Sequence, residues 1–155
     1  MPGLYFEDFE IGKIYRHETS RSVTDFDNIW YSCMTLNTQP LHLSLDFSAK
    51  QGVHGKPLFN SMYTLSIIIG QCGTDLTRGT LLAVVSMTDI QFPRSVFAGD
   101  TLYSRTTIIQ TRASDERLDG GIVELLHEGF NQSEEVVATC KRSLLVSRRV
   151  VNRGV

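Results

Sequence analysis

The second half of the chain constrains the fold most, because it contains four runs rich in β-branched residues that follow one another closely. The runs cover residues 80–92, 101–112, 121–130 and 135–146. Clusters of glycine, aspartate, asparagine and serine separate them, as expected for turns between strands. Strands joined by such short connections are usually antiparallel neighbours. The sequence therefore predicts an antiparallel sheet, with a weaker additional strand over residues 13–22.

Three helices are predicted in the first half of the chain. Thr24 and Asp27 have the spacing of a capping box, so the first helix is expected to start there. The apolar residues that follow recur at helical spacing, and we expect this stripe to pack on the core. The stripe consists of Phe26, Ile29, Trp30, Cys33 and Met34. A short helix is predicted over residues 46–51.

The third helix begins near Asn60 and Ser61 and is apolar around much of its circumference. Such a helix is typically buried. One long buried helix combined with an antiparallel sheet places the chain in the α+β class.

Length and charge limit the classes of protein to which this chain can belong. At 155 residues, the expectation is a single domain over residues 1–155. The formal net charge of −2 argues against general nucleic-acid binding, which usually needs a basic excess. The N-terminus lacks a signal-peptide pattern, and no apolar run is long enough to span a membrane. Cys33, Cys72 and Cys140 form no CxxC pair, so we expect buried, reduced thiols in a cytoplasmic protein.

Segment 37–42, with the sequence Asn-Thr-Gln-Pro-Leu-His, is the strongest candidate for a functional site. Asn37 is predicted to lie close to the apolar face of the first helix, which would aim its side chain inward. On a continuous helix, Asn37 and His42 would point about 140° apart. Pro40 prevents that continuation, because it lacks an amide hydrogen and disfavours helical angles at Gln39. The chain must bend, so the amide and the imidazole can converge to hold and deprotonate a water molecule.

Two further segments carry a family resemblance. Residues 57–61 read Pro-Leu-Phe-Asn-Ser, and residues 92–102 read Phe-Pro-Arg-Ser-Val-Phe-Ala-Gly-Asp-Thr-Leu. With segment 37–42, they resemble the MaoC-like (R)-specific enoyl-CoA hydratase/dehydratase family, which usually has proline at the position of Ser95. The resemblance covers residues 6–148 and implies a hot-dog fold, in which an antiparallel sheet wraps around one long buried helix. It also implies a hydro-lyase acting on an acyl-CoA thioester, with no cofactor beyond the coenzyme A of the substrate, in a homodimer or dimer-based oligomer.

The candidate site departs from the usual pattern of that family. In the family's Asp-x-Asn-Pro-(aliphatic)-His motif, Asn37 occupies the aspartate position, Gln39 the asparagine position and His42 the histidine position. The usual His-Gly pair at the start of the buried helix is Asn60-Ser61 here. Because asparagine does not exchange protons at ordinary pH, a two-group acid–base mechanism does not carry over unchanged. The phrases Asn-Thr-Gln-Pro-Leu-His and Gly-Lys-Pro-Leu-Phe-Asn-Ser are similar to a subgroup associated with itaconyl-, mesaconyl- or methylmalyl-CoA.

His42 and Asn37 are the candidate catalytic residues. A neutral imidazole suits proton transfer near pH 7, although a histidine in such a place also occurs as a structural, hydrogen-bonded residue. The carboxamide of Asn37 is expected either to orient the attacking water or to be an ordinary residue at a helix C-terminus. The other histidines, His17, His54 and His127, lack partners at metal-ligand spacing, so no metal site is expected.

Four residues are candidates for substrate binding. Asn60 and Ser61 are expected to cap the buried helix, and the backbone amide of Ser61 is a reasonable donor to the thioester oxygen as it gains negative charge. Gln39 is a further candidate, because it occupies the asparagine position of the family's motif. Arg94 precedes a Gly-Asp turn, and it either meets a CoA phosphate or a substrate carboxylate or is a solvated surface residue.

Three functions stay open at this point. The leading one is an enoyl-CoA hydratase/dehydratase. The second is a hot-dog acyl-CoA thioesterase, although such enzymes typically use a carboxylate near the helix start and no acidic residue occurs between positions 51 and 69. The third is a non-catalytic acyl-CoA-binding protein, which the loss of the aspartate allows.

Overall fold

The computed structural model describes residues 3–115 and 117–149. Within these residues, a short 3-10 helix over Phe6–Asp8 is followed by two strands, then four helices, then four further strands. In chain order they are β1 (Ile14–Arg16), β2 (Arg21–Ser22), α1 (Asp25–Met34), α2 (Pro40–Leu43), α3 (Leu45–Gln51), α4 (Ser61–Leu76), β3 (Leu81–Gln91), β4 (Thr101–Ala113), β5 (Gly120–Phe130) and β6 (Val136–Ser147). Over the described ranges, the helices are all too short or too polar to cross a membrane.

The strands form a six-stranded antiparallel sheet in the order β1-β4-β5-β6-β3, with β2 also paired to β4. The four long predicted strands are confirmed, and their bounds differ from the prediction by no more than one residue at each end. β3 pairs with β6 rather than with β4, so the connection over residues 92–100 crosses the sheet. The weaker predicted strand consists of two short strands, β1 and β2.

Helix α4 packs against the middle of the sheet, on β4, β5 and β6. Ile68 fills the space that Gly129 on β5 leaves open, because a Cβ atom at position 129 would overlap the Ile68 side chain. Two clusters of buried apolar residues flank this contact. They include Phe59, Val96, Leu102 and Val137 on one side, and Cys72, Leu76, Val123 and Leu125 on the other. The opposite face of α4 is exposed, for instance at Met62, so only one side of the helix is buried.

Helix α1 presents the opposite face to the core from the one predicted. Its N-terminal capping box is confirmed, since Thr24 and Asp27 exchange both hydrogen bonds. The apolar stripe, however, is exposed: 72% of Phe26 and 51% of Trp30 are accessible. The buried side of the helix is polar and consists of Asp27, Asn28 and Ser32.

This polar side is stable inside because hydrogen bonds and a charge pair satisfy it. The carboxylate of Asp27 accepts a hydrogen bond from Nη2 of Arg21 at 2.6 Å. Burial acts to raise the pKa of Asp27, but the hydrogen bonds from Thr24 and the charge of Arg21 outweigh it and hold the pKa below its ordinary value. Periodicity alone does not distinguish a stripe that faces the core from one that faces another surface.

The three cysteines are free thiols. Cys72 and Cys140 are buried, as predicted. Cys33 is exposed, contrary to the prediction, because it lies on the outward-facing stripe of α1.

β3 is an edge strand that is accessible on both faces, since all its residues are exposed. Six of these residues are large and apolar: Leu81, Leu82, Val84, Val85, Met87 and Ile90. A long, apolar edge of this kind is a template for pairing with another chain.

Candidate active site

The chain reverses direction immediately after α1. Leu36 has a left-handed backbone, with φ of 59°, and the helix ends in a Schellman arrangement. The N–H of Leu36 donates to the carbonyl of Cys33 at 3.1 Å, and the N–H of Asn37 donates to the carbonyl of Ser32 at 2.8 Å. Asn37 therefore lies beyond the helix, and the prediction that the helix face extends to it is wrong. The reversal also precedes Pro40, which opens α2 at the first helical position, where proline is favoured.

Helix α2 is a single turn that presents His42. Gln39 is its N-cap residue, and the carbonyl of Gln39 accepts the N–H of His42 at 3.0 Å. The Gln39 side chain is exposed, and Asn37 is half-buried. Both precede His42 on the same connection, and their roles towards a substrate stay predictions.

The ring of His42 is held in one orientation. Its Nδ1 atom donates to the carbonyl oxygen of Leu58 at 2.7 Å. A carbonyl oxygen only accepts hydrogen bonds, so in the neutral ring Nδ1 carries the proton and Nε2 has a free lone pair. The half-buried His42 also lines a cavity of about 160 Å³ together with Asp25, Ile29 and Pro57. A neutral imidazole in this tautomer can act as a general base through Nε2.

A buried asparagine that the sequence did not single out lies behind His42. The side chain of Asn28 donates from Nδ2 to the carbonyl oxygens of His42 at 2.9 Å and Leu58 at 3.1 Å. Its Oδ1 accepts the backbone N–H of Asn60 at 2.8 Å. The sequence feature that could have identified Asn28 is its position on the polar side of α1, opposite the apolar stripe.

Asn60 caps α4, as predicted. Its Oδ1 accepts the N–H of Met62 at 3.1 Å, and its Nδ2 donates to the hydroxyl of Ser32 at 3.2 Å. Ser61 is the first residue of the helix. The amides of Met62 and Tyr63 already donate to Asn60, so the N–H of Ser61 is the donor that this helix start offers. The amides of a first helical turn also carry partial positive charge. This helix start can therefore stabilise an oxyanion.

Arg94 and Ser61 line the same cavity, of about 140 Å³, at the start of α4. Leu58 also lines this cavity, and its carbonyl is the acceptor for the His42 ring. Arg94 also lies 3.9 Å from Glu135, and both side chains are largely exposed. Of the predicted site residues, the structure thus places His42 at one cavity and Ser61 and Arg94 at another, and Leu58 links the two. Asn37 and Gln39 line neither cavity.

The remaining polar network lies at the other end of α4. The Nδ1 atom of His17 bonds to the carboxylate of Asp75 at 2.8 Å, and its Nε2 bonds to the hydroxyl of Thr106 at 2.8 Å. Thr106 also bonds to Nδ1 of His127 at 3.0 Å. Burial, aided by the charges of Arg142 and His17, lowers the pKa of His127 to about 3. Within residues 3–115 and 117–149, no group of three or more histidine, cysteine, aspartate or glutamate side chains has a geometry that holds a metal ion.

Residues 8–128 match the model of the MaoC like domain family. The match covers most of the chain, which therefore belongs to the MaoC-like domain family, as the resemblance implied. A solved structure of the monoamine oxidase regulatory protein from Archaeoglobus fulgius has a TM-score of 0.85 and 29% sequence identity, covering 96% of this chain and 97% of that chain. The antiparallel sheet with one long helix on its face is the hot-dog fold, and that prediction is confirmed.

Two curated relatives are similar over almost the whole of this chain. The beta-methylmalyl-CoA dehydratase of Chloroflexus aurantiacus is 29% identical over 153 residues, covering 97% of this chain and 42% of that protein. The mesaconyl-CoA hydratase of Cereibacter sphaeroides is 24% identical over 147 residues, covering 95% of this chain and 42% of that protein. The chain therefore spans less than half the length of these relatives.

Proposed function

We propose that the chain is an acyl-CoA hydratase/dehydratase, which adds or removes water across the α,β double bond of an enoyl-CoA thioester. The observation that carries this proposal is the hydrogen bond from Nδ1 of His42 to the Leu58 carbonyl at 2.7 Å, because it leaves Nε2 as a free base. Membership of the MaoC-like family and the similarity to a dehydratase and a hydratase of acyl-CoA thioesters support it.

The proposed hydration uses one base for two proton transfers. Nε2 of His42 takes a proton from water while the water oxygen forms a bond to the β-carbon. The π electrons of the double bond move towards the thioester carbonyl, and the N–H of Ser61 at the start of α4 stabilises the enolate oxygen. The imidazolium of His42 then returns the proton to the α-carbon, and dehydration is the reverse. Water and enoyl thioester are the only reactants, so coenzyme A takes part only as a portion of the substrate.

Asn37 and Gln39 complete this proposal. A carboxamide has both a donor and an acceptor, so Asn37 can hold a water molecule in line with the β-carbon without exchanging protons itself. Asn60, the cap of α4, fixes the helix start that supplies the oxyanion donor, and Gln39 contacts the substrate from the turn before α2. With His42 serving both steps, no carboxylate is needed at position 37.

We propose a branched C5 dicarboxylyl-CoA as the substrate, such as methylmalyl-, mesaconyl- or itaconyl-CoA. Arg94 lines the cavity of about 140 Å³ at the start of α4, beside Ser61. A guanidinium binds carboxylates well, and the ion pair that this one makes with Glu135, at 3.9 Å, is long and exposed to solvent. Arg94 is therefore the candidate partner for the distal carboxylate, with a CoA phosphate as the alternative ligand. The names of the two curated relatives agree with this substrate class.

We also propose a homodimer, or a dimer-based oligomer, as the working form. The apolar edge strand β3 and the outward-facing stripe of α1 are surfaces that a second chain can cover. The neighbouring chain would then contribute to coenzyme A binding. A cytoplasmic location suits the three free thiols, because that compartment keeps thiols reduced. The expectation that this is a single domain over residues 1–155, without nucleic-acid or membrane partners, stays a prediction.

One assay separates the three functions that the sequence left open. The protein is incubated with crotonyl-CoA and mesaconyl-CoA, and absorbance of the enoyl group, free thiol and bound ligand are followed together. Loss of enoyl absorbance without free thiol supports the proposal. Release of free thiol identifies a thioesterase instead, and binding without turnover identifies a non-catalytic acyl-CoA-binding protein.

A further inference from the structure

We propose that Asn28 is a positioning residue that fixes the ring orientation and the tautomer of His42. For its effect on turnover, the inference rests on the proposed hydratase function. Its effect on the imidazole ring does not depend on that function and can be measured separately.

Every polar atom of the Asn28 side chain is in use, and the residue is only 3% exposed. Nδ2 has two N–H groups, which donate to the carbonyls of His42 at 2.9 Å and Leu58 at 3.1 Å. Oδ1 accepts the N–H of Asn60 at 2.8 Å. Reversing the amide would face its oxygen towards two carbonyls and its NH₂ group towards an N–H. The orientation of Asn28 is therefore fixed by its partners.

Two donors converge on the carbonyl of Leu58. One is Nδ1 of the His42 ring at 2.7 Å, and the other is Nδ2 of Asn28 at 3.1 Å. A carbonyl oxygen has two lone pairs, so both bonds are made at once. Asn28 thus holds the acceptor that selects the Nδ1–H tautomer, and it also holds the backbone of the histidine that donates to it. This leaves Nε2 as the atom that meets substrate.

Asn28 also joins three parts of the chain that are distant in sequence. It lies on α1, whereas His42 is on α2 and Asn60 caps α4. The base and the helix start that supplies the oxyanion donor, the N–H of Ser61, are therefore tied to the same buried amide. A shift of about 1 Å between such groups can cost about 10²-fold in rate.

Substitutions at position 28 test whether the hydrogen bonds that Asn28 donates are needed, or only the volume of its side chain. Asn28→Asp keeps the size and the acceptor for Asn60 but removes both donors, and it places a carboxylate against two carbonyl oxygens. Asn28→Leu keeps the branching and the number of heavy atoms of the side chain and removes all three hydrogen bonds. Gln71→Leu is the matched control, because Gln71 is also buried and its Nε2 donates to a main-chain carbonyl, that of Leu102, at 3.2 Å.

The decisive readout is the tautomer of His42 in protein labelled with ¹⁵N-histidine, measured by ¹⁵N–¹H NMR without substrate. The chain has four histidines, and the His42 signals are assigned by their loss in His42→Ala. We expect the Nδ1–H form in the native protein and in Gln71→Leu, and a mixture of tautomers in Asn28→Asp and Asn28→Leu. A native ring in the Nε2–H form overturns the proposal even if neither position-28 variant folds. Folded position-28 variants that keep a pure Nδ1–H ring also overturn it.

If the native protein hydrates an enoyl-CoA, its kcat and KM provide a second readout. A positioning role predicts that Asn28→Asp lowers kcat by about 10²-fold and changes KM little, because the lost alignment matters in the transition state. Gln71→Leu should lower the melting temperature and leave kcat near the native value. Equal losses of kcat in Asn28→Asp and Gln71→Leu would mean that Asn28 is only structural. If the native protein has no turnover, the proposed function fails, and the tautomer measurement still decides the role of Asn28.

Discussion

His42 and Asn37 are held to different degrees by the chain around them. The ring, the N–H and the carbonyl of His42 all have hydrogen-bond partners, in Leu58, Gln39 and Asn28. Asn37 is tied by its backbone N–H, which completes the end of α1. The imidazole of His42 is therefore preorganised by the folded chain, whereas the water-binding role of the Asn37 carboxamide stays a prediction.

Substitution of Asn37 tests whether one base is enough. Asn37→Ala should lower kcat by about 10²-fold, because the attacking water is no longer positioned. Asn37→Asp should keep appreciable activity and move the acidic limb of the kcat/KM pH profile to higher pH, since a nearby carboxylate favours the protonated imidazole. Rates of the three proteins on one enoyl-CoA across pH provide the measurement. A silent native protein that becomes active as Asn37→Asp would contradict the one-base mechanism.

The buried His127 makes stability depend on pH. Its pKa is lowered to about 3 in the folded chain, from an ordinary value of 6.5, so the unfolded chain binds this proton more readily. The stability that the neutral ring contributes is complete above the unfolded pKa. It is lost as the pH falls through the window between the two values, by up to about 1.4 kcal/mol per pH unit.

Denaturant titrations of native protein and His127→Leu from neutral pH to about pH 4 test this linkage. The native free energy of unfolding should fall more steeply with decreasing pH than that of His127→Leu, which has no proton to bind at this position. Parallel pH profiles would show that His127 does not carry the dependence.

The close packing of α4 on β5 can be tested by substituting the glycine at the contact between these two elements. Gly129→Ala should destabilise the fold by about 1–3 kcal/mol, because the new Cβ overlaps Ile68 in a packed core. Gly70→Ala is the control on the same helix. A Cβ at position 70 meets open space, so alanine should be neutral or raise stability by up to about 1 kcal/mol. Equal free energies of unfolding for Gly129→Ala and native protein would refute this packing.

The elements differ in how far the sequence could predict them. The strands were predicted closely because their signals are local, in β-branched runs and the breakers between them. The pairing of β3 with β6 is a long-range property and was missed. The stripe on α1 was found by its period, but a period does not say which side faces the chain's own core, and here the polar side does.

The candidate site shows the same division between local and long-range information. The cap at Asn60 could be predicted from neighbouring residues. A bend before His42 was also predicted, but at Pro40, whereas the chain reverses at Leu36. The network around Asn28 could not be predicted, because its partners lie as far along the chain as Asn60 and meet it only in the folded state. Which substrate atoms these residues meet is a property of the complex and not of the chain alone.

At the scale of the whole molecule, β3 and the stripe of α1 are exposed apolar surfaces, and we therefore expect a dimer in solution. The double substitution Val84→Lys and Val85→Lys places a charge on each face of the edge strand. This variant should be a monomer, because charged residues oppose strand pairing. Ile11→Lys is the control, since Ile11 is also exposed and apolar but lies next to β1, at the other edge of the sheet. Light scattering at micromolar concentration measures the mass. A native monomer with intact activity would contradict the expectation.

The central claim is that this MaoC-like domain hydrates an enoyl-CoA with His42 as its base. The most direct measurement is the loss of enoyl absorbance from mesaconyl-CoA and crotonyl-CoA, catalysed by native protein and by His42→Ala, with the melting temperature of both recorded. We predict turnover by the native protein and a kcat lower by about 10²-fold or more for a folded His42→Ala protein, the usual scale for a positioned acid–base residue. A folded His42→Ala protein with near-native turnover would contradict the account.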